Sequence, residues 1–110
     1  MVRVLGRGTR KTMSREIEWL PDAIQDLVRL RNFIRSTNPI AAKRAATRIV
    51  EGINILQDNP RVGVPIEGLD GFYDLYLRFG AGNYIIRYRE RDPKCVVIVR
   101  VRHSRENRSS

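Results

Sequence analysis

An α+β fold, with a small antiparallel sheet packed on an N-terminal helical hairpin, is what this 110-residue sequence predicts, and three observations carry it. Two consecutive segments repeat apolar residues at three- and four-residue steps, the mark of amphipathic helices. A basic hairpin from Tyr84 to Arg105 follows, with its turn at Asp92-Pro93. Its second strand is expected to place Val97, Val99 and Val101 on one face and Arg100 and Arg102 on the other. Such a sheet needs helices over its apolar face and an acidic partner against its cationic one.

The elements follow in order. Glu16-Ile17-Glu18-Trp19 alternates polar and apolar and reads as a first strand with Ile17 and Trp19 inward. Pro21 and Asp22 open a helix, because proline suits the first turn and a carboxylate there favours the dipole. Ala23, Ile24, Leu27, Leu30, Phe33 and Ile34 form its buried stripe. Ser36-Thr37-Asn38-Pro39 ends this helix and starts the next, with Asn38 as cap and Pro39 at the first helical position. Ala42, Ala45, Ile49, Ile53 and Leu56 form the second stripe, and Asp58-Asn59-Pro60 stops it. So short a link predicts an antiparallel helical hairpin. Arg61 to Gly71 reads as a loop crossing the molecule. The second strand carries Leu75, Leu77 and Phe79 on one face and Tyr76 and Arg78 on the other. Gly80-Ala81-Gly82-Asn83 turns into a third strand, Tyr84–Arg89, and a short loop leads to the fourth, Cys95–Arg102. The order is β-α-α-β-β-β.

Length allows one domain with one core, expected over residues 13–105. The formal charge is +9; Arg3, Arg7, Arg10 and Lys11 carry four of those charges and leave +5 for residues 12–110. Residues 1–12 contain Gly6, Gly8 and no apolar periodicity, and Met13 directly precedes the first strand. They read as a disordered, mis-assigned or non-native extension, with a nucleic-acid-binding arm as the alternative. The tail 106–110 is polar and expected to fray. No apolar run approaches the roughly 20 residues that cross a bilayer, so no membrane partner is expected and a cytoplasmic location is the default. Cys95, the lone cysteine, excludes an intrachain disulfide and any cysteine-rich metal site, and it is read as a small apolar core residue. No metal or cofactor is expected.

Arg78, Arg100, Arg102 and Arg105 are candidates for a basic face that binds DNA, RNA or an acidic protein surface; a merely solvated outer face would carry the same residues. His103, the lone histidine, ends the fourth strand with no second base near it in sequence, so a structural or partner-facing role is expected before catalysis. Tyr76, Tyr84 and Tyr88 can stack on bases, but alternating strand tyrosines are ordinarily cross-strand packing partners. Val28, Ile40 and Val50 fall off the main helical stripes and are expected to leave apolar surface along the hairpin. Such a groove suits an amphipathic helix of an acidic partner.

Trp19-Leu20-Pro21-Asp22-Ala23, Asp26-Leu27, Asn38-Pro39, Ala41-Ala42, Ile49, Leu56, Pro60 and Gly63 form one colinear set with Gly71, Leu75, Tyr84, Tyr88, Val97, Ile98, Val101, His103 and Arg105. The set resembles the ParE branch of the RelE/ParE toxins from about Ile17 to Arg105. The resemblance implies the toxin half of a bacterial toxin–antitoxin module. It implies a hetero-oligomer with a cognate, ParD-like antitoxin; the apolar groove and the surrounding basic residues, rather than the resemblance, lead to the expectation that its C-terminal segment is acidic and folds along that groove. The RelE branch cleaves messenger RNA in the ribosome with strand lysines, arginines and a late tyrosine; the ParE branch is associated with inhibition of DNA gyrase. Asp74 and Tyr76 stand where ribonucleolytic relatives tend to have lysines, and Ile85 where an arginine is expected, with Arg87 two residues on and on the same face. No tyrosine follows Arg105. This depleted set points to the gyrase branch and leaves ribosome-dependent RNA cleavage as the alternative. Tyr73 stands where the ParE pattern usually carries an arginine.

Overall fold

The computed structural model of the chain describes residues 2–4 and 15–106. The expectations for the rest of residues 1–12, for Met13 and for the tail after Glu106 lie outside the described residues. The elements are β1 (Val2–Val4), β2 (Glu16–Trp19), α1 (Pro21–Thr37), α2 (Pro39–Asp58), β3 (Val64–Pro65), β4 (Phe72–Phe79), β5 (Gly82–Asp92) and β6 (Cys95–His103). They build one mixed sheet in the order β1-β2-β6-β5-β4-β3, with the helical hairpin against one face. The α+β class and the expected order of strand, two helices and three-stranded meander are present, with the short β1 and β3 added at the edges.

The hairpin forms for the local reasons its sequence gives. Pro21 occupies the first position of α1, and the Leu20 carbonyl accepts the Ala23 and Ile24 N–H groups. At the elbow one residue does two jobs. The Asn38 N–H donates to the Ile34 carbonyl and closes α1, while its side-chain oxygen accepts the Ala41 N–H at 3.0 Å and opens α2. Ala45, Ile49, Ile53 and Leu56 of α2 are buried together with Gly52. A Cβ at Gly52 would lie 2.5 Å from Leu77 Cδ1, so glycine lets α2 settle closely on β4. In α1 the stripe is incomplete: Ala23 and Leu30 are buried, but Phe33, expected inward, is 72% exposed. Phe33 lies instead at an open cavity by the elbow, beside Leu30, Ala41 and Phe79, and so misses the core.

One pairing departs from the antiparallel expectation: β2 runs parallel to β6, from Glu16 opposite Cys95 to Trp19 opposite Ile98. The end of α2 explains it. Arg15 N–H donates to the Gln57 carbonyl, and the Gln57 amide donates back to the Arg15 carbonyl at 3.0 Å. The helical hairpin therefore returns the chain to the end of the sheet where β2 began. A meander that starts there brings its third strand, β6, alongside β2 in the same direction.

The faces of β6 also differ from expectation. Val96, Ile98 and Val101 join the core with Ile17, Trp19, Leu75, Leu77, Ile86 and Tyr88. The ladder passes from Tyr88 opposite Ile98 to Arg87 opposite Arg100, with a register shift between them. Val99 is thus an extra residue, a β-bulge that inverts the alternation. Val97 and Val99 consequently share the outer face with Arg100 and Arg102 rather than opposing them. Strand β5 is longer than expected, since Gly82 and Asn83 already pair with Phe79 and Arg78 of β4. Gly80, at φ 63°, supplies the left-handed residue of that turn.

Candidate functional site

The outer sheet face is laid out by its cross-strand rows. Asp74, Arg87 and Arg100 form one row, and Tyr76, Ile85 and Arg102 the next, with Arg78 opposite Asn83 beyond them. Its centre is dry: Ile85 is buried, as are Val97 and Cys95 further along. Burial pushes the Cys95 thiol above its ordinary pKa, in keeping with a packing residue. Tyr76 is half exposed beside this centre.

The candidate cations divide into two groups. Arg87 forms a fork with Asp74, donating at 3.0 and 3.1 Å to its two carboxylate oxygens. Arg100 reaches over the edge of β6 and forks Asp26 of α1 at 2.8 and 3.1 Å. Arg78, Arg102 and Arg105 make no ion pair among the described residues. The face is therefore less cationic than its arginine count, because two of its arginines are spent on internal carboxylates.

Asp26 is the residue that sequence reasoning missed as a structural centre. It lies on α1, 2% exposed, and its carboxylate accepts Val101 N–H at 2.8 Å as well as the Arg100 fork and Arg29 at 2.6 Å. Pairing of β2 with β6 ends at Ile98, so the edge of β6 beyond that residue lacks a strand neighbour. Asp26 takes the place of one. Glu106 does the same two residues on, accepting His103 N–H at 3.3 Å and the Arg29 guanidinium at 2.7 Å. Arg29 thus bridges two carboxylates that each cap an edge N–H group. Burial alone would raise the Asp26 pKa, but the Arg100 fork, the Val101 N–H and Arg29 together hold it below the usual carboxylate value.

His103 is fixed at both ring nitrogens. Nδ1 accepts the Arg105 N–H at 3.1 Å, so Nε2 carries the proton and donates to the Phe79 carbonyl at 3.0 Å. Its ring also meets Tyr84 edge-on at 4.9 Å. This arrangement joins the ends of β4 and β6 and leaves no nitrogen for proton transfer to a substrate. Tyr84 and Tyr88 are buried in the core, and Tyr88 stacks on Tyr73 with ring centroids 5.4 Å apart. Of the three candidate tyrosines, Tyr76, Tyr84 and Tyr88, only Tyr76 is open to a partner.

The opposite side of the molecule carries apolar surface. Val28 and Val50 are 44% and 56% exposed and line one cavity of about 300 Å³ between α1 and α2, with Arg31 its single charged wall. Ile40 is also exposed, at 66%, but it sits in the first turn of α2 and does not line this cavity. The structure thus brings Val28 and Val50 together and leaves Ile40 apart. Among the described residues no cluster of three His, Cys, Asp or Glu side chains can hold a metal, and no helix is long and apolar enough to cross a membrane.

Residues 17–108 match the model of the ParE toxin of the type II toxin–antitoxin system parDE. The chain belongs to the ParE toxin family. A relative in Caulobacter vibrioides named Toxin RelE3 is 35% identical over 94 residues, which cover 86% of this chain and 99% of that protein. A solved structure described as the chromosomal ParDE TA system from P. aeruginosa superposes with a TM-score of 0.68 at 25% identity, covering 84% of this chain and 98% of its counterpart. The ParE-family chain is thus the toxin of a type II toxin–antitoxin module, with an antitoxin as partner in a hetero-complex.

Proposed function

We propose that this toxin inhibits growth by contact with DNA gyrase rather than by cutting RNA, and that a ParD-like antitoxin neutralises it. The observation that carries the reading is the internal pairing of the sheet-face cations. Metal-free RNA cleavage needs a base, an acid and free cations around the scissile phosphate. Arg87 and Arg100 are engaged by Asp74 and Asp26, and His103 is hydrogen-bonded at both nitrogens. Arg78, Arg102 and Arg105 with exposed Tyr76 instead make a patch fitted to an acidic protein surface. The same three arginines beside an exposed tyrosine are the feature in favour of the competing reading, an RNA-binding face of RelE type.

The antitoxin, on this reading, lays an amphipathic C-terminal segment along the groove marked by Val28 and Val50. Its apolar residues are buried there and its carboxylates meet the surrounding arginines and lysines. Ordering that segment consumes free energy, so tight binding requires buried anchors as well as charge. The test in cells is induction of the chain without its antitoxin. Filamentation and the DNA-damage response should appear before translation falls. An immediate arrest of translation with codon-specific messenger RNA cuts would refute the gyrase reading.

A further inference from the structure

The β3–β4 hairpin carries a second apolar surface, set apart from the groove of the helices. Val62 and Val64 are 51% and 57% exposed, Tyr76 is 50% exposed, and Leu69, in the turn between the two strands, is exposed as well. Val64 stands opposite Asp74 and so shares the outer sheet face with it, and Tyr76 follows two residues along β4 on that face. Val62 precedes them across Gly63, whose N–H donates to the buried Tyr88 hydroxyl at 2.9 Å. Exposed apolar side chains scattered singly need no explanation, but neighbours on one face mark an interaction site.

Strand addition does not account for this edge. β3 is two residues long, and Pro65, its second residue, has no N–H to give. A second copy of the chain finds too short a ladder here to pair with, so what the edge presents is its side chains.

The charges beside the strip define what fits it. The row from Tyr76 through buried Ile85 ends on Arg102, and Arg78 follows on β4; neither arginine makes an ion pair among the described residues. At the other end Glu67 and Asp70 are exposed in the hairpin turn beside Leu69. Between them the Asp74 carboxylate is held by the Arg87 fork and adds no net charge. Val62 and Val64 offer neither positive charge to a phosphate nor a ring face to a base. A nucleic-acid backbone laid along the strip would also meet the two carboxylates of the turn. A protein surface with apolar side chains at its middle and carboxylates toward the arginines meets no like charge.

We propose that Val62, Val64 and Tyr76 form the apolar anchor of the toxin's target surface, completing the Arg78–Arg102 patch, and that its occupant is a protein surface of that chemistry. The proposal rests on the reading of the outer face as the contact with gyrase, and deepens it by naming where the buried part of that contact lies. Rim charges steer and orient a partner, whereas a few desolvated residues at the centre carry most of the affinity.

The experiment uses the full chain and measures inhibition of supercoiling by the cognate gyrase, affinity for the purified antitoxin, and thermal unfolding. The variants are Val62→Ser combined with Val64→Ser, and Tyr76→Ala. Each should raise the concentration for half-inhibition about tenfold or more. Each should still unfold cooperatively and bind the antitoxin with the parent's affinity, since the groove lies on the opposite side of the molecule. Should one variant fail to fold, the other decides the matter. Parent-like inhibition in a folded variant overturns the anchor and leaves the arginine patch to act alone. Weakened binding of a single-stranded RNA oligonucleotide with inhibition unchanged would make the strip a nucleic-acid surface and overturn it too. If the parent itself does not inhibit gyrase, the gyrase reading fails separately, and growth arrest on induction decides the anchor: arrest lost in both variants upholds it, and undiminished arrest in either overturns it.

Discussion

Replacing Asp26 with asparagine should destabilise the toxin by about 2–4 kcal/mol, far more than an ordinary surface change. The carboxylate is 2% exposed and receives one backbone and three guanidinium N–H bonds, at 2.6 to 3.1 Å. Asparagine keeps an acceptor for Val101 but turns a donor toward Arg29 and the second nitrogen of the Arg100 fork. Loss of one charge-assisted bond amounts to about 1.5–3 kcal/mol. Arg29 and Arg100 are 44% and 55% exposed, so water recovers much of what they lose and the total stays below that of a fully buried triad. The expected fall in Tm is about 8–20 °C for a domain of this size. The pH dependence has a fixed sign. A carboxylate held below its unfolded pKa stabilises above that value, and the contribution is lost as pH falls through the folded pKa. The parent should therefore lose stability on acidification below about pH 4, and Asp26→Asn should lose less. Burial pushes the Glu106 carboxyl up, but Arg29 and the His103 N–H more than offset this and hold it low as well, so the acid limb should shrink without vanishing. Urea unfolding followed by circular dichroism between pH 2 and 8 measures both quantities. A variant within about 0.5 kcal/mol of the parent, or with the parent's full acid limb, would refute the role given to Asp26.

Other outcomes follow from the same geometry. Gly63→Ala should destabilise by about 1–3 kcal/mol, because its Cβ would stand 2.7 Å from the Tyr88 hydroxyl and 2.9 Å from the Asp74 carbonyl; unchanged denaturant midpoints would contradict this. Val28→Asp and Val50→Asp should weaken antitoxin binding by about tenfold or more without unfolding the free toxin, as both side chains are exposed; unaltered titrations would remove the groove from the interface. Arg78→Glu combined with Arg102→Glu should abolish toxicity yet leave Tm within about 1 °C, since neither forms an ion pair among the described residues; undiminished toxicity would exclude the patch as the target surface.

The helical half of this fold is legible in the sequence because its signals are local. Asn38-Pro39 marks the elbow, and Ala45, Ile49, Ile53 and Leu56 are buried at the spacing that predicts them. Phe33 has the same spacing and is exposed, because periodicity gives a direction on the helix and not whether the sheet extends beneath it. The β6 faces depart from simple alternation by one residue. A bulge at Val99 leaves no trace in Val-Val-Ile-Val, where every residue suits either face. The sheet-face candidates were legible as arginines but not in their state. Asp26 lies 74 and 75 residues from Arg100 and Val101, so nothing in the sequence tells that Arg100 is already paired. Asp74 and Arg87 carried more signal, since alternation places both on the outer face.

The most direct test of the account pairs two assays on one preparation of the full chain. Supercoiling of relaxed plasmid by the cognate gyrase should be inhibited, and the inhibition relieved by equimolar antitoxin. Messenger RNA on translating ribosomes should remain intact at the same concentration. Codon-specific cleavage with supercoiling untouched would contradict the claim that this toxin acts by contact rather than by cutting.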